Sequence, residues 1–134
     1  MRRIIMASAV CLLLSACSDD KKQEKAALDQ VLSVHDKVMG NDEAVMKNKM
    51  QLDTLLKLKP NDSVEIKALA DKLTKAEDAM DSWMHHFEPD VTGKSHEQIL
   101  TYYDTQKKQV IAVDSLLSAA VTESGKYIQK TKEK

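Results

Sequence analysis

The chain has 134 residues, of which 20 are Lys or Arg and 21 are Asp or Glu. That length accommodates one domain, and a charged fraction of 31% excludes a multi-span membrane protein. With three Gly and two Pro, the chain has few residues suited to turns, which disfavours an all-β sandwich or barrel.

The N-terminus has the features of a cleaved export signal. A positive start, Met1-Arg2-Arg3, precedes an apolar run from Ile4 to Leu14 that is broken only by Ser8. This pattern is typical of a secretory signal peptide and is too short for a membrane-spanning helix. The run ends in Leu14-Ser15-Ala16-Cys17, which resembles the bacterial lipobox. The resemblance implies a signal peptide over residues 1–16 and lipidation of Cys17 by a diacylglyceryl group.

Removal of residues 1–16 changes the chemistry of the chain. Both Arg residues and Cys11 are lost, so no partner for a disulfide with Cys17 remains. A chain without Arg lacks the preferred bidentate donor for phosphate and guanine, and we expect no nucleic-acid partner. We expect residues 17–26 to comprise the acylated Cys and a flexible tether, so that the lipid on Cys17 makes the membrane a partner.

The residues after Cys17 indicate in which membrane the lipoprotein is anchored. Ser18 stands where Asp often retains lipoproteins in the inner membrane, so we expect the outer membrane. Ser18-Asp19-Asp20 also resembles an acidic signal for export to the cell surface. Both the periplasmic face and the cell surface remain open at this point.

The remaining chain has apolar residues at spacings of three and four, which predicts amphipathic helices. The spacing indicates three stripes, over residues 28–56, 66–87 and 99–127. Short connections favour antiparallel neighbours. We therefore predict an all-α fold, with three long antiparallel helices in a bundle over residues 27–130 and a frayed tail over residues 131–134.

Three segments interrupt the helical pattern. Pro60 ends the first helix because the residue before a proline avoids the α region. Asn61 or Asp62 can cap the second helix, and Glu65, three residues after Asp62, gives a box-like arrangement. Ser95 with Gln98 predicts a capping box for the third. Gly40, followed by Asn41, predicts either a kink in the first helix or a complete break that gives four helices.

Methionine and histidine residues suggest one candidate metal site. Met80 and Met84 are four residues apart on the second helix, next to His85. Three more methionines lie on the first helix: Met39, Met46 and Met50. Thioether with imidazole suits a soft ion such as Cu(I). The alternative is that Met fills gaps in the core and that His85 and His86 are helix-end residues favoured by the dipole.

Two further groups carry alternatives. His35 and Asp36 are adjacent, and because neighbours on a helix diverge we expect them not to be oriented for a shared proton. Trp83 and Phe87 are four residues apart, which predicts an anchor in the core, with a ligand groove as the alternative. We identify no catalytic residues and no cofactor.

The segments His35–Met39 and Asp81–Phe87, with the lipobox ahead and a Tyr-containing helix behind, resemble a family of small bacterial helical lipoproteins. That family is often labelled "viral A-type inclusion protein". The resemblance implies a helical bundle on the envelope, with no established reaction or ligand. We therefore predict a lipid-anchored, non-enzymatic envelope protein with a structural or binding role and an unknown envelope partner. The alternatives are a periplasmic helical chaperone or stress protein, and a copper-binding protein.

Overall fold

The structure, a computed structural model, describes the backbone of residues 13–133 and the side chains of residues 18–133. This part of the chain is helical and contains no strand, which confirms the all-α prediction. A short 3-10 helix over Pro60–Asp62 connects the second and third of four α-helical segments: α1 (Leu13–Met39), α2 (Asp42–Leu58), α3 (Ser63–His86) and α4 (His96–Lys132).

The first long helix bends at Gly40, which confirms the predicted interruption. The Gly40 N–H donates to the carbonyl of Asp36 at 3.1 Å, and the Asn41 N–H donates to Val38 at 2.9 Å. Helical hydrogen bonding resumes when the Val45 N–H donates to Asn41 at 3.0 Å. The bend preserves the apolar stripe, because fully buried residues recur every seven positions through it: Val31, Val38, Val45 and Leu52.

The core residues of α3 and α4 alternate at spacings of three and four, which is the repeat of helices that pack along a common seam. In α3 the buried set is Ile66, Leu69, Leu73, Ala76, Met80 and Trp83. In α4 it is Ile99, Tyr103, Gln106, Val110, Val113, Leu117, Ala120, Ser124 and Ile128. These side chains join the α1 and α2 stripe in one hydrophobic core.

Polar contacts between helices follow a regular order. Along α1 and α2, residues with higher numbers pair with residues that have higher numbers on α4: Gln30 with Lys107, Lys37 with Asp114, and Gln51 with Lys132. Along α3 and the residues just before and after it, the order is reversed, so that lower residue numbers pair with higher ones on α4: Glu88 with Tyr102, Lys72 with Glu123, and Asp62 with Tyr127.

One polar network lies within the packed helices. The Asn48 side-chain amide donates to the hydroxyl of Ser124 at 2.9 Å and to the carbonyl of Val121 at 3.1 Å. Ser124 is fully buried and its hydroxyl donates to the carbonyl of Ala120 at 2.7 Å. These bonds satisfy the polar side chains at this level of the core and hold α2 against α4.

The structure differs from the sequence predictions at three helix ends. Asp62 makes no side-chain cap bond, because Pro60 starts a 3-10 turn in which the Asp62 N–H donates to Lys59. Residues 17–26, predicted as a flexible tether, lie in α1, where Glu24 contacts His96. The predicted frayed tail is helical as far as Lys132.

Candidate functional site: a methionine cleft at the helix bend

The bend between α1 and α2 opens a cleft of about 190 Å³ against α3. Met39 ends α1 and Met46 lies on the second turn of α2, and both line the cleft beside α3. Met80 and Met84 face them from α3, and Leu117 of α4 forms the floor. We call this the methionine cleft, and it is lined by Met39, Asp42, Met46, Glu77, Met80, Asp81, Met84 and Leu117.

The four methionines lie at different depths in the methionine cleft. Met80 is 5% exposed and belongs to the core, whereas Met39 and Met84 are half-buried and pack against it. Met46 is 62% exposed. The thioethers therefore extend from the buried core of the protein to its surface.

Carboxylates line the methionine cleft beside the thioethers. Glu77 receives a hydrogen bond from Lys49 at 2.6 Å, which places a positive charge next to it. Asp42 and Asp81 form no salt bridge within residues 18–133. These two carboxylates leave the lining negative.

The structure places some of the candidate ligands together and others apart. Met80 and Met84 line the methionine cleft together with Met39 and Met46. His85 does not line the methionine cleft, and instead its Nδ1 contacts the carbonyl of Asp81 at 2.7 Å.

The sequence prediction and the structure also differ in which other residues line the methionine cleft. Met50 is 68% exposed and lies outside the methionine cleft, although it was predicted to contribute. Glu77 and Asp81 were not predicted, although each lies three residues before a cleft methionine, Met80 or Met84, which places all four near one face of α3.

The histidines occupy helix ends and surfaces. His86 Nδ1 contacts the carbonyl of Ser82 at 2.6 Å, so His85 and His86 both serve the end of α3, as the alternative reading predicted. His35 Nδ1 lies 3.1 Å from the carboxylate of Asp36, although the two were predicted to diverge. The His35 side chain is 25% exposed and its ring also packs against Trp83 at a centroid distance of 5.8 Å, whereas the Asp36 side chain is exposed.

Trp83 anchors an aromatic row. Its ring stacks on Phe87 at a centroid distance of 5.1 Å, and Phe87 stacks on Tyr102 at 6.3 Å. The Tyr102 hydroxyl accepts a hydrogen bond from the Glu88 N–H at 2.8 Å, which fixes the chain after α3 against α4. Trp83 is buried in the core, which confirms its predicted role as an anchor.

The predicted signal peptide and the lipidation site are largely beyond the described part of the chain. Residues 1–12 lie outside it, and the side chain of Cys17 is not among those described. Within residues 13–133, no helix combines the length and the apolar character that a membrane span requires.

Comparisons with family models, curated proteins and solved structures find no match to this chain.

Proposed function

We propose that this protein is a bacterial lipoprotein, anchored to the outer membrane through Cys17, with a non-catalytic binding or structural role at the envelope. The observation that carries the proposal is the order of its first seventeen residues: a basic start, an apolar stretch and Leu14-Ser15-Ala16-Cys17. Two or more acyl chains on one cysteine suffice for stable attachment, whereas one chain binds only marginally.

The helical domain proposed to follow the anchor is an antiparallel bundle. The contacts between α1–α2 and α4 pair residues in the same numerical order, which supports parallel directions for these helices. The contacts between the α3 region and α4 pair residues in the opposite order, which supports antiparallel directions. In such a bundle the two ends of the chain are far apart along the helices, so the N-terminal lipid would hold one end at the membrane.

Lipid attachment is tested by labelling with radioactive palmitate in a Gram-negative host. We expect label in the parent protein and its complete loss in Cys17→Ala. Cys11→Ala is the matched control, because it removes the other cysteine of the same segment and should leave the label in place.

An unlabelled parent protein, or label that persists in Cys17→Ala, would refute the anchor. Protease added to intact cells then distinguishes the two possible locations of the protein on the outer membrane. Digestion indicates display on the cell surface, and protection indicates the periplasmic face.

A further inference from the structure

We propose that the methionine cleft binds one soft monovalent cation, Cu(I) or its analogue Ag(I), through the thioethers of Met39, Met80 and Met84, with Met46 completing the site from the surface. This site is additional to the envelope role and does not require the lipid, since all of its lining residues lie on α1 to α4.

The first argument is the concentration of methionine. The chain has seven Met residues, and two of them, Met1 and Met6, are in the first ten residues. Of the other five, all except Met50 line this one cleft, although they come from three helices. Met39 and Met46 are seven residues apart on either side of Gly40, so they lie near the same face of the bent helix and meet the same stretch of α3.

The second argument concerns the space between the methionines. Methionine used as packing closes gaps, because its three rotatable bonds let it fill irregular volumes. Here four methionines are half of the eight residues that line an open cleft of about 190 Å³. Met46, at 62% exposed, gains little from burial at its position on the surface. The arrangement fits a site for a small guest better than it fits core packing.

The third argument is charge and ligand type. Thioethers are neutral, soft donors that select Cu(I) over Zn²⁺, Mg²⁺ and Ca²⁺, which take imidazole, thiolate or oxygen ligands. A cation held by neutral donors keeps its full charge, and the carboxylates of Asp42 and Asp81 offset it from the lining. Within residues 18–133 no group of three or more His, Cys, Asp or Glu side chains is arranged to hold a metal ion, so a hard-metal site does not compete there.

Metal titration of the full chain carrying Cys11→Ser and Cys17→Ser tests the site, since this background contains no thiol. Cu(I), kept reduced by ascorbate under nitrogen, is competed against a chromophoric Cu(I) chelator. We expect one equivalent to bind. Met80→Leu with Met84→Leu should weaken Cu(I) binding by about tenfold or more. Removing a metal ligand should reduce the affinity at least as much as removing a residue that only supports a ligand.

The matched control is Met50→Leu, which removes an exposed methionine outside the cleft and should leave the affinity unchanged. Leu for Met conserves volume and hydrophobicity, so far-UV circular dichroism should show the same helix content in every variant. Zn²⁺ added in place of Cu(I) should show no binding that depends on Met80 and Met84.

Ag(I) added to protein with ¹³C-labelled methionine methyl groups gives a second readout by NMR. Methyl signals of the cleft methionines should shift together, while those of Met1, Met6 and Met50 stay in place. The proposal is overturned if the double variant binds Cu(I) as tightly as its parent. Shifts confined to methionines outside the cleft would also overturn it. Neither outcome bears on palmitate labelling of Cys17.

Discussion

Two glycines illustrate how the surroundings of a single residue determine what can replace it. Gly125 lies inside α4, and a Cβ built there would sit 3.7 Å from the Asn48 side-chain nitrogen, an ordinary contact. Gly93 has φ +84°, in the left-handed region, and lies in a turn closed by the hydrogen bond from Lys94 N–H to Val91. The helical glycine is therefore replaceable, whereas the turn glycine is required by its backbone conformation.

We expect Gly125→Ala to raise the free energy of unfolding by about 1 kcal/mol, because alanine loses less backbone entropy in a helix. Gly93→Ala should lower it by about 1–2 kcal/mol, because a Cβ is strained at positive φ. Urea unfolding followed by far-UV circular dichroism measures both. Equal effects of the two substitutions would contradict the explanation, since both add the same methyl group.

Among the helices, α4 begins with a complete capping box and α2 begins without one. The Ser95 hydroxyl accepts from the Gln98 N–H at 3.3 Å, and the Gln98 side chain accepts from the Ser95 N–H at 2.9 Å. Asn41 occupies the corresponding position before α2 but makes no side-chain cap bond. The Ser95 box was predictable because both partners are three residues apart in one short segment.

We expect Ser95→Ala to lower the free energy of unfolding by about 1 kcal/mol, because an N–H at the start of α4 loses its acceptor. Asn41→Ala is the matched control at the start of α2 and should change stability by less than about 0.5 kcal/mol. Urea unfolding at neutral pH compares the two variants. A larger loss for Asn41→Ala than for Ser95→Ala would contradict the geometry.

At the scale of the whole molecule, α4 packs against each of the other three helices. Its core positions contact both α1 and α3, and Tyr103 is buried among them. Burial raises the pKa of Tyr103 above its ordinary value of 10.0, and the charges of Tyr102 and Glu24 act in the same direction. The folded state therefore favours the neutral phenol more than the unfolded state does.

This shift predicts a loss of stability at high pH. The stabilisation from the neutral Tyr103 phenol is fully present below the pKa that this group has in the unfolded chain. It is lost as pH rises through the higher pKa of the folded state, because the unfolded chain releases the phenolic proton first. We expect Tyr103→Phe to reduce the decline in the free energy of unfolding between about pH 8 and pH 11. Burial also raises the pKa of Tyr127, so part of the decline should remain. An unchanged decline in Tyr103→Phe would contradict the assignment.

The methionine cleft shows how far the sequence leads towards a site. The spacing of Met80 and Met84 was enough to place them near each other on α3. Asp42 also lines the cleft, but it lies on a different helix from Met80 and Met84, so its place there depends on how α2 packs against α3. Sequence spacing describes neighbours along one helix and contains no information on the angle between two.

Residues a few positions apart were enough to predict the helical class, the interruption near Gly40 and the capping box at Ser95, because each of these depends on local sequence. Tertiary structure alone decided that Gln106, Ser124 and Ile128 are buried, since their environment comes from other helices. It also decided that His85 turns away from the methionines and that Met46 joins them. Contacts between residues distant in sequence depend on how the helices pack, and that packing depends on the apolar faces of all the helices together.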